Sequence, residues 1–99
     1  MTEVNVDHRL VQVHFSKPLI ENGEDLGAEY TDQESEADQV AVYLETRFKD
    51  ENGKEISEFD ISEEKEFFFN ELGKEQAKEQ AEKFASELAD KYKTTWEWY

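Results

Sequence analysis

The chain has 99 residues, a net charge of −15, 36% hydrophobic and 13% aromatic residues, and no cysteine. One domain of this length buries roughly two-thirds of its unfolded surface, and seven Phe, four Tyr and two Trp supply a small core, which excludes a wholly disordered chain. The missing thiols exclude disulfides, thiolate nucleophiles and cysteine-based zinc sites, and the charge sets the protein against nucleic acid and anionic lipid.

The start, Met1-Thr2-Glu3-Val4, has no basic segment and no apolar run, so no signal peptide is expected. No stretch of 18 apolar residues exists, so no membrane span is expected either. A small cysteine-free domain favours the cytoplasm. One domain covering residues 1–99 is the simplest organisation.

The first element is a strand whose apolar parity changes along its length. Val4 and Val6 share one parity; Val11, Val13 and Phe15 share the other. One strand with a bulge near Asp7-His8-Arg9 explains the switch, and so do two short strands. Pro18 is expected just beyond this strand. Residues 21–38 read as a long acidic loop with one helical turn.

A hairpin follows. Val40, Val42, Leu44, Thr46 and Phe48 alternate with Ala41, Tyr43, Glu45, Arg47 and Lys49, and Asn52-Gly53 is a strong turn signal. A two-residue loop there predicts Glu51 opposite Lys54, Phe48 opposite Ser57, Thr46 opposite Phe59 and Leu44 opposite Ile61. Phe59 and Ile61 then share a face with Leu44, and Arg47 meets Glu58 on the other.

Ser62-Glu63-Glu64 reads as the N-terminus of a short helix carrying Phe67, Phe68, Phe69 and Leu72. Gly73 either ends that helix or kinks it into the next. Ala77, Ala81, Phe84, Ala85, Leu88 and Tyr92 then form one apolar stripe at helical spacing. Glu79 with Lys83 and Glu87 with Lys91 are favourable pairs on its outer face. Residues 94–99 alternate and read as a short last strand, with at least one of Trp96 and Trp98 in the core against the helix and Tyr99 exposed. The expected fold is α+β, an antiparallel sheet of three to four strands with a long C-terminal helix packed on one face.

No catalytic pattern stands out. There is no G-x-S-x-G, and glycines at 23, 27, 53 and 73 make no phosphate loop. Residues 50–54 have a passing likeness to a calcium loop. With Gly53 at the sixth position, however, the first ligand would be Phe48. His8 and His14 add to a metal site only if their strand has no bulge. The chain is therefore read as no enzyme, with no cofactor and no metal.

The charge itself is uneven. Residues 1–73 carry 20 acids against 6 bases, whereas residues 74–99 carry 6 against 5. One block comprises Glu21, Glu24, Asp25, Glu29, Asp32, Glu34, Glu36 and Asp38, with no base among them. A second, in residues 50–66, includes Asp50, Glu51, Glu55 and Glu58. Confined acidity makes a directed field that steers a cationic partner. These twelve carboxylates are the candidate partner-binding residues. The expected partner is a basic protein, a nuclease or other effector that binds nucleic acid, whose site the carboxylates occlude; direct nucleic-acid binding and membrane binding are not expected.

In size, charge and lack of cysteine the chain resembles small phage-borne anti-restriction and anti-CRISPR proteins, which act as DNA mimics. The resemblance is one of overall character and implies an inhibitory role. The alternative is an adaptor or structural module that binds through a sheet edge or its aromatic C-terminus, with acidity serving only solubility. Under that alternative, deleting residues 96–99 abolishes binding and neutralising residues 29–38 does little. A cation-binding domain is a third reading, marked by calcium-induced stabilisation.

Overall fold

A computed structural model describes residues 4–99; residues 1–3, where no leader segment was expected, lie outside the described residues. The fold is α+β. Its antiparallel sheet is built on one long strand, β1 (Asn5–Glu21). β2 (Glu24–Thr31) returns along the upper part of β1, and a single 3₁₀ turn (Glu34–Glu36) leads to β3 (Gln39–Lys49) on the other edge of β1. β4 (Glu55–Phe68) follows β3, giving the order β2-β1-β3-β4. Helices α1 (Phe69–Leu72) and α2 (Lys74–Lys91) come next, and β5 (Trp96–Trp98) runs parallel to β1. Among the described residues no helix is long and apolar enough to cross a membrane.

The parity switch in β1 is resolved as one strand with an irregularity. Val6 faces Phe48 and His8 faces Arg47, so the register shifts between them. Beyond the shift, Val11 faces Leu44, Val13 faces Val42 and Phe15 faces Val40. Their side chains fall on one face because alternate residues of a strand point the same way. Val11, Val13, Val40, Val42, Leu44 and Phe67 form one buried cluster with Ala77, Ala81, Ala85, Leu88 and Ala89 of α2. Phe84, Trp96 and Trp98 pack against its margin. The Trp98 indole N–H donates to Glu82 Oε2 at 3.0 Å, which satisfies the polar end of a largely apolar ring.

Four expectations are corrected. Residues 21–38 are no long loop. β1 runs on through Pro18 to Glu21, where Asn22 (φ 53°) and Gly23 (φ 80°) make a two-residue turn into β2. Both turn residues need positive φ, which Asn and Gly tolerate best. Pro18 lies inside the strand, opposite Ala28, and the β1–β2 register shifts just after it. The expected helical turn survives as the 3₁₀ turn. The sheet has four antiparallel strands, within the expected number, and β5 adds a fifth by pairing parallel to β1.

The β3–β4 hairpin register is also corrected. Asp50 Oδ1 accepts from the amides of Asn52 and Lys54, both at 2.9 Å. Asp50 N donates to Lys54 O, and Gly53 (φ 80°) N donates to Asp50 O. The loop is therefore three residues long, with only its last in the left-handed region. A further register shift between Arg47 and Lys49 leaves Phe59 facing Arg47 and Ile61 facing Glu45, one position away from the expected partners. A one-residue slip moves both side chains to the other face. They stand 46% and 48% exposed there. Arg47 reaches Glu45 at 3.2 Å and lies over the Phe59 ring instead of meeting Glu58.

Ser62 does not begin a helix. β4 continues through it, and Glu63 (φ 56°) forms a bulge between the pairs Leu44–Ser62 and Val42–Lys65. That extra residue restores the core parity, so Phe67 faces Val40 on the buried side. α1 starts only at Phe69, and Gly73 ends it.

Leu44 is 2% exposed at the centre of the cluster. Leu44→Ala should cost about 2–5 kcal/mol in urea unfolding. Leu26→Ala, on exposed β2, should stay within about 0.5 kcal/mol.

Candidate functional site

The twelve candidate carboxylates divide by position. Glu21 and Glu24 face each other across the β1–β2 turn. Asp25 is opposite Ile20 and accepts from the Gly27 amide at 2.9 Å, while Glu29 is opposite Lys17. Asp32 follows β2. Asp38 precedes β3, where its backbone bonds Ser16 O and Phe69 N, locking the chain at the top of the sheet. Asp50 and Glu51 sit in the β3–β4 loop, with Glu55 and Glu58 in the edge strand β4.

The two hairpin tips lie at opposite ends of β1. One tip is continuous with Glu21, and the other adjoins Asn5, which faces Lys49. The sheet thus holds the two tips apart along a molecule 46 Å in its longest Cα dimension, while the blocks approach each other at their other ends, where Asp38 O accepts from Phe69 N and Glu66 faces Ala41. Asp60, Glu64 and Glu66 continue the acidic run along β4. Both outer strands of the main path, β2 and β4, are therefore charged, which also protects sheet edges from pairing with other chains.

Two of the twelve carboxylates are paired with cationic side chains. Glu34 accepts from Lys78 Nζ at 2.5 Å and lies 3.8 Å from Lys74 Nζ. The Lys78 hydrogen bond holds the Glu34 carboxyl below its ordinary value, and Glu34 holds Lys78 above its own. Glu36 lies 3.5 Å from both Lys17 Nζ and Thr31 Oγ1. These two acids tie the β2–β3 connection to α2 and β1. Among the described residues no cationic side chain lies within 4.0 Å of the other ten.

A second feature lies on the sheet face turned away from the buried cluster. Gln12, His14 and Ser16 alternate with Val11, Val13 and Phe15, so they point to that face. Tyr43 faces Gln12, and Tyr30 faces Ser16. The His14 ring centroid is 5.3 Å from Tyr43 and 5.6 Å from Tyr30, and Tyr30 is 4.9 Å edge-on from Tyr99. The Tyr99 amide donates to Val13 O at 2.7 Å, fixing the end of β5 beside these rings. Together the four rings line a cavity of about 190 Å³.

The sequence reading did not find this cluster. Tyr30 lay in a segment read as loop, and without β2 nothing placed it beside His14. The available signal was Asn22-Gly23, the same dipeptide that marked the other hairpin.

Burial pushes the His14 pKa below 6.5, against the opposing pull of the Phe15 carbonyl and Glu64. Burial, then the nearby Glu45 carboxylate, pushes Tyr43 upward. Both rings are therefore neutral near pH 7. Among the described residues no group of three or more His, Asp or Glu side chains is placed to hold a metal ion.

Because folding lowers the His14 pKa, the unfolded chain binds its proton first as pH falls. The stability contributed by neutral His14 is complete above about pH 6.5 and is lost as pH drops from there through the folded value. An NMR titration should place the His14 midpoint below 6.5. Urea unfolding from pH 7 to pH 5 should show a smaller His-linked loss in His14→Gln than in the parent chain.

No protein-family model, curated protein or solved structure matches the chain.

Proposed function

We propose that the protein is a non-catalytic acidic inhibitor that occupies a cationic, nucleic-acid-binding site on a partner protein. The partner class is a nuclease or similar effector, as in anti-CRISPR or anti-restriction function. The supporting observation is linear charge. A net −15 along a 46 Å axis is one charge per about 3 Å. A single nucleic-acid strand carries one per roughly 3.4 Å of axis, and a duplex one per roughly 1.7 Å.

The two acidic tips lie at opposite ends of β1, so the proposed contact is extended. Carboxylates at both hairpin tips and along β2 and β4 engage a long basic channel at several points. Most of the candidate carboxylates have no internal cation, so they are available to such a surface. Long-range attraction guides the encounter, and like-charge repulsion keeps the protein from nucleic acid itself.

Binding to candidate nucleases, read as release of prebound duplex DNA, should weaken at least about tenfold between 50 and 200 mM salt. Glu21→Gln with Glu24→Gln, and separately Asp50→Asn with Glu51→Gln, should each weaken binding and flatten that salt dependence. Salt-independent binding, or loss from only one tip, would count against an extended mimic.

The adaptor reading keeps one observation in its favour, the exposed ring cluster. Deleting residues 96–99 is a poor test of it, because Trp96 and Trp98 pack on the core. Tyr99→Ala is the cleaner variant, since that side chain is 66% exposed.

A further inference from the structure

We propose that His14, Tyr30, Tyr43 and Tyr99 form a cage for the cationic head of one arginine or lysine side chain of the basic partner. This rests on the reading that the partner is cationic, and it supplies the anchor that dispersed carboxylates lack. Aromatic faces carry negative potential and attract ammonium and guanidinium groups placed within about 6 Å of the ring centroid.

The local chemistry fits a cation better than an apolar group. Glu64 acts electrostatically on both His14 and Tyr43, and on Tyr43 the Glu45 carboxylate outweighs the opposing Arg47 guanidinium. Neutral His14 offers a ring without opposing charge. The same sheet face already holds one guanidinium on a ring, with Arg47 Cζ 4.6 Å from the Phe59 centroid. Arg47 is itself engaged by Glu45, so it leaves the cage open. The cavity's 190 Å³ is below the roughly 300–1,000 Å³ of drug-sized sites and suits a single side-chain head.

The sequence order of the rings explains why three strands are needed. His14 comes from β1, Tyr30 from β2 and Tyr43 from β3, and Tyr99 follows β5. A cage assembled from four segments is rigid only once the sheet has formed, so little ordering remains to be done when a cation enters.

The test uses N-acetyl-arginine amide, N-acetyl-lysine amide and neutral N-acetyl-norleucine amide as probes. Ring signals of His14, Tyr30 and Tyr99 should shift saturably with arginine or lysine, and the tighter of the two identifies the side chain. Norleucine should give no saturable shift. Tyr99→Ala should weaken the cation about two- to fivefold, while Tyr99→Phe should retain it, because the ring face is kept. Tyr30→Ala, at a second exposed position, should repeat the loss. Saturable binding of norleucine as tight as the cations, no saturable shift from either cation, or unchanged affinity in both alanine variants would overturn the cage. Cation binding without salt-dependent capture of a nuclease would leave the cage standing and remove the inhibitor reading. The reverse result would remove the cage alone.

Discussion

β1 is the reference line of the molecule. Val11, Gln12 and Val13 have β3 on one side and β5 on the other, so both of their edges are hydrogen-bonded. Above them the β5 edge is taken over by β2. Every other strand except β4 is registered directly against this one element. Its alternation sends Val11 and Val13 to the buried cluster, and Gln12 and His14 to the opposite face. A slip of one residue would exchange those sets and bury polar groups in place of valines. The cost of that exchange holds the register, and through it the positions of all four rings of the aromatic cluster.

Electrostatics works against this packing. A net −15 on so small a domain favours expansion through self-repulsion. The fold limits the cost by spreading the acids over the ends and edges of the sheet. Exposed carboxylates spaced by more than about 8 Å are largely screened at physiological salt. The ion pairs present stitch segments together rather than neutralise the surface. Lys78 and Lys74 draw Glu34 to α2, and Lys91 lies 3.9 Å from Glu63 at the bulge. Exposed pairs of this kind each contribute only a little to stability. Their role here is to hold the β2–β3 connection and the β4 bulge against the helix.

The same dispersion bears on the inhibitory role proposed above. A compact acidic patch would focus on one basic spot, whereas separated tips suit a long channel. Spread charge speeds encounter but gives little fixed orientation. An aromatic site at the middle of the sheet would supply that orientation, because ring contacts demand close and specific geometry.

The alternation of residues 40–48, the stripe from Ala77 to Tyr92, and the β-rich end at residues 94–99 were legible directly from residue order. The parity switch near Asp7-His8-Arg9 was legible too, but residue order allowed either one bulged strand or two short strands, and pairing with β3 decided for the first. Each depends on local periodicity, which side-chain chemistry alone specifies. The tertiary structure decided what depends on pairing and on competition for hydrogen bonds. Asp50 captured two amides and lengthened a turn by one residue, which turned Phe59 and Ile61 outward. Glu63 adopted a left-handed conformation and returned Phe67 to the core. Asn22-Gly23 converted an acidic loop into a strand, because β1 offered that segment an open edge. Sequence order set how acidic the two blocks are. Only the antiparallel course of β1, β2, β3 and β4 placed their hairpin tips at opposite ends, since each hairpin turns at the far end of the strand it leaves.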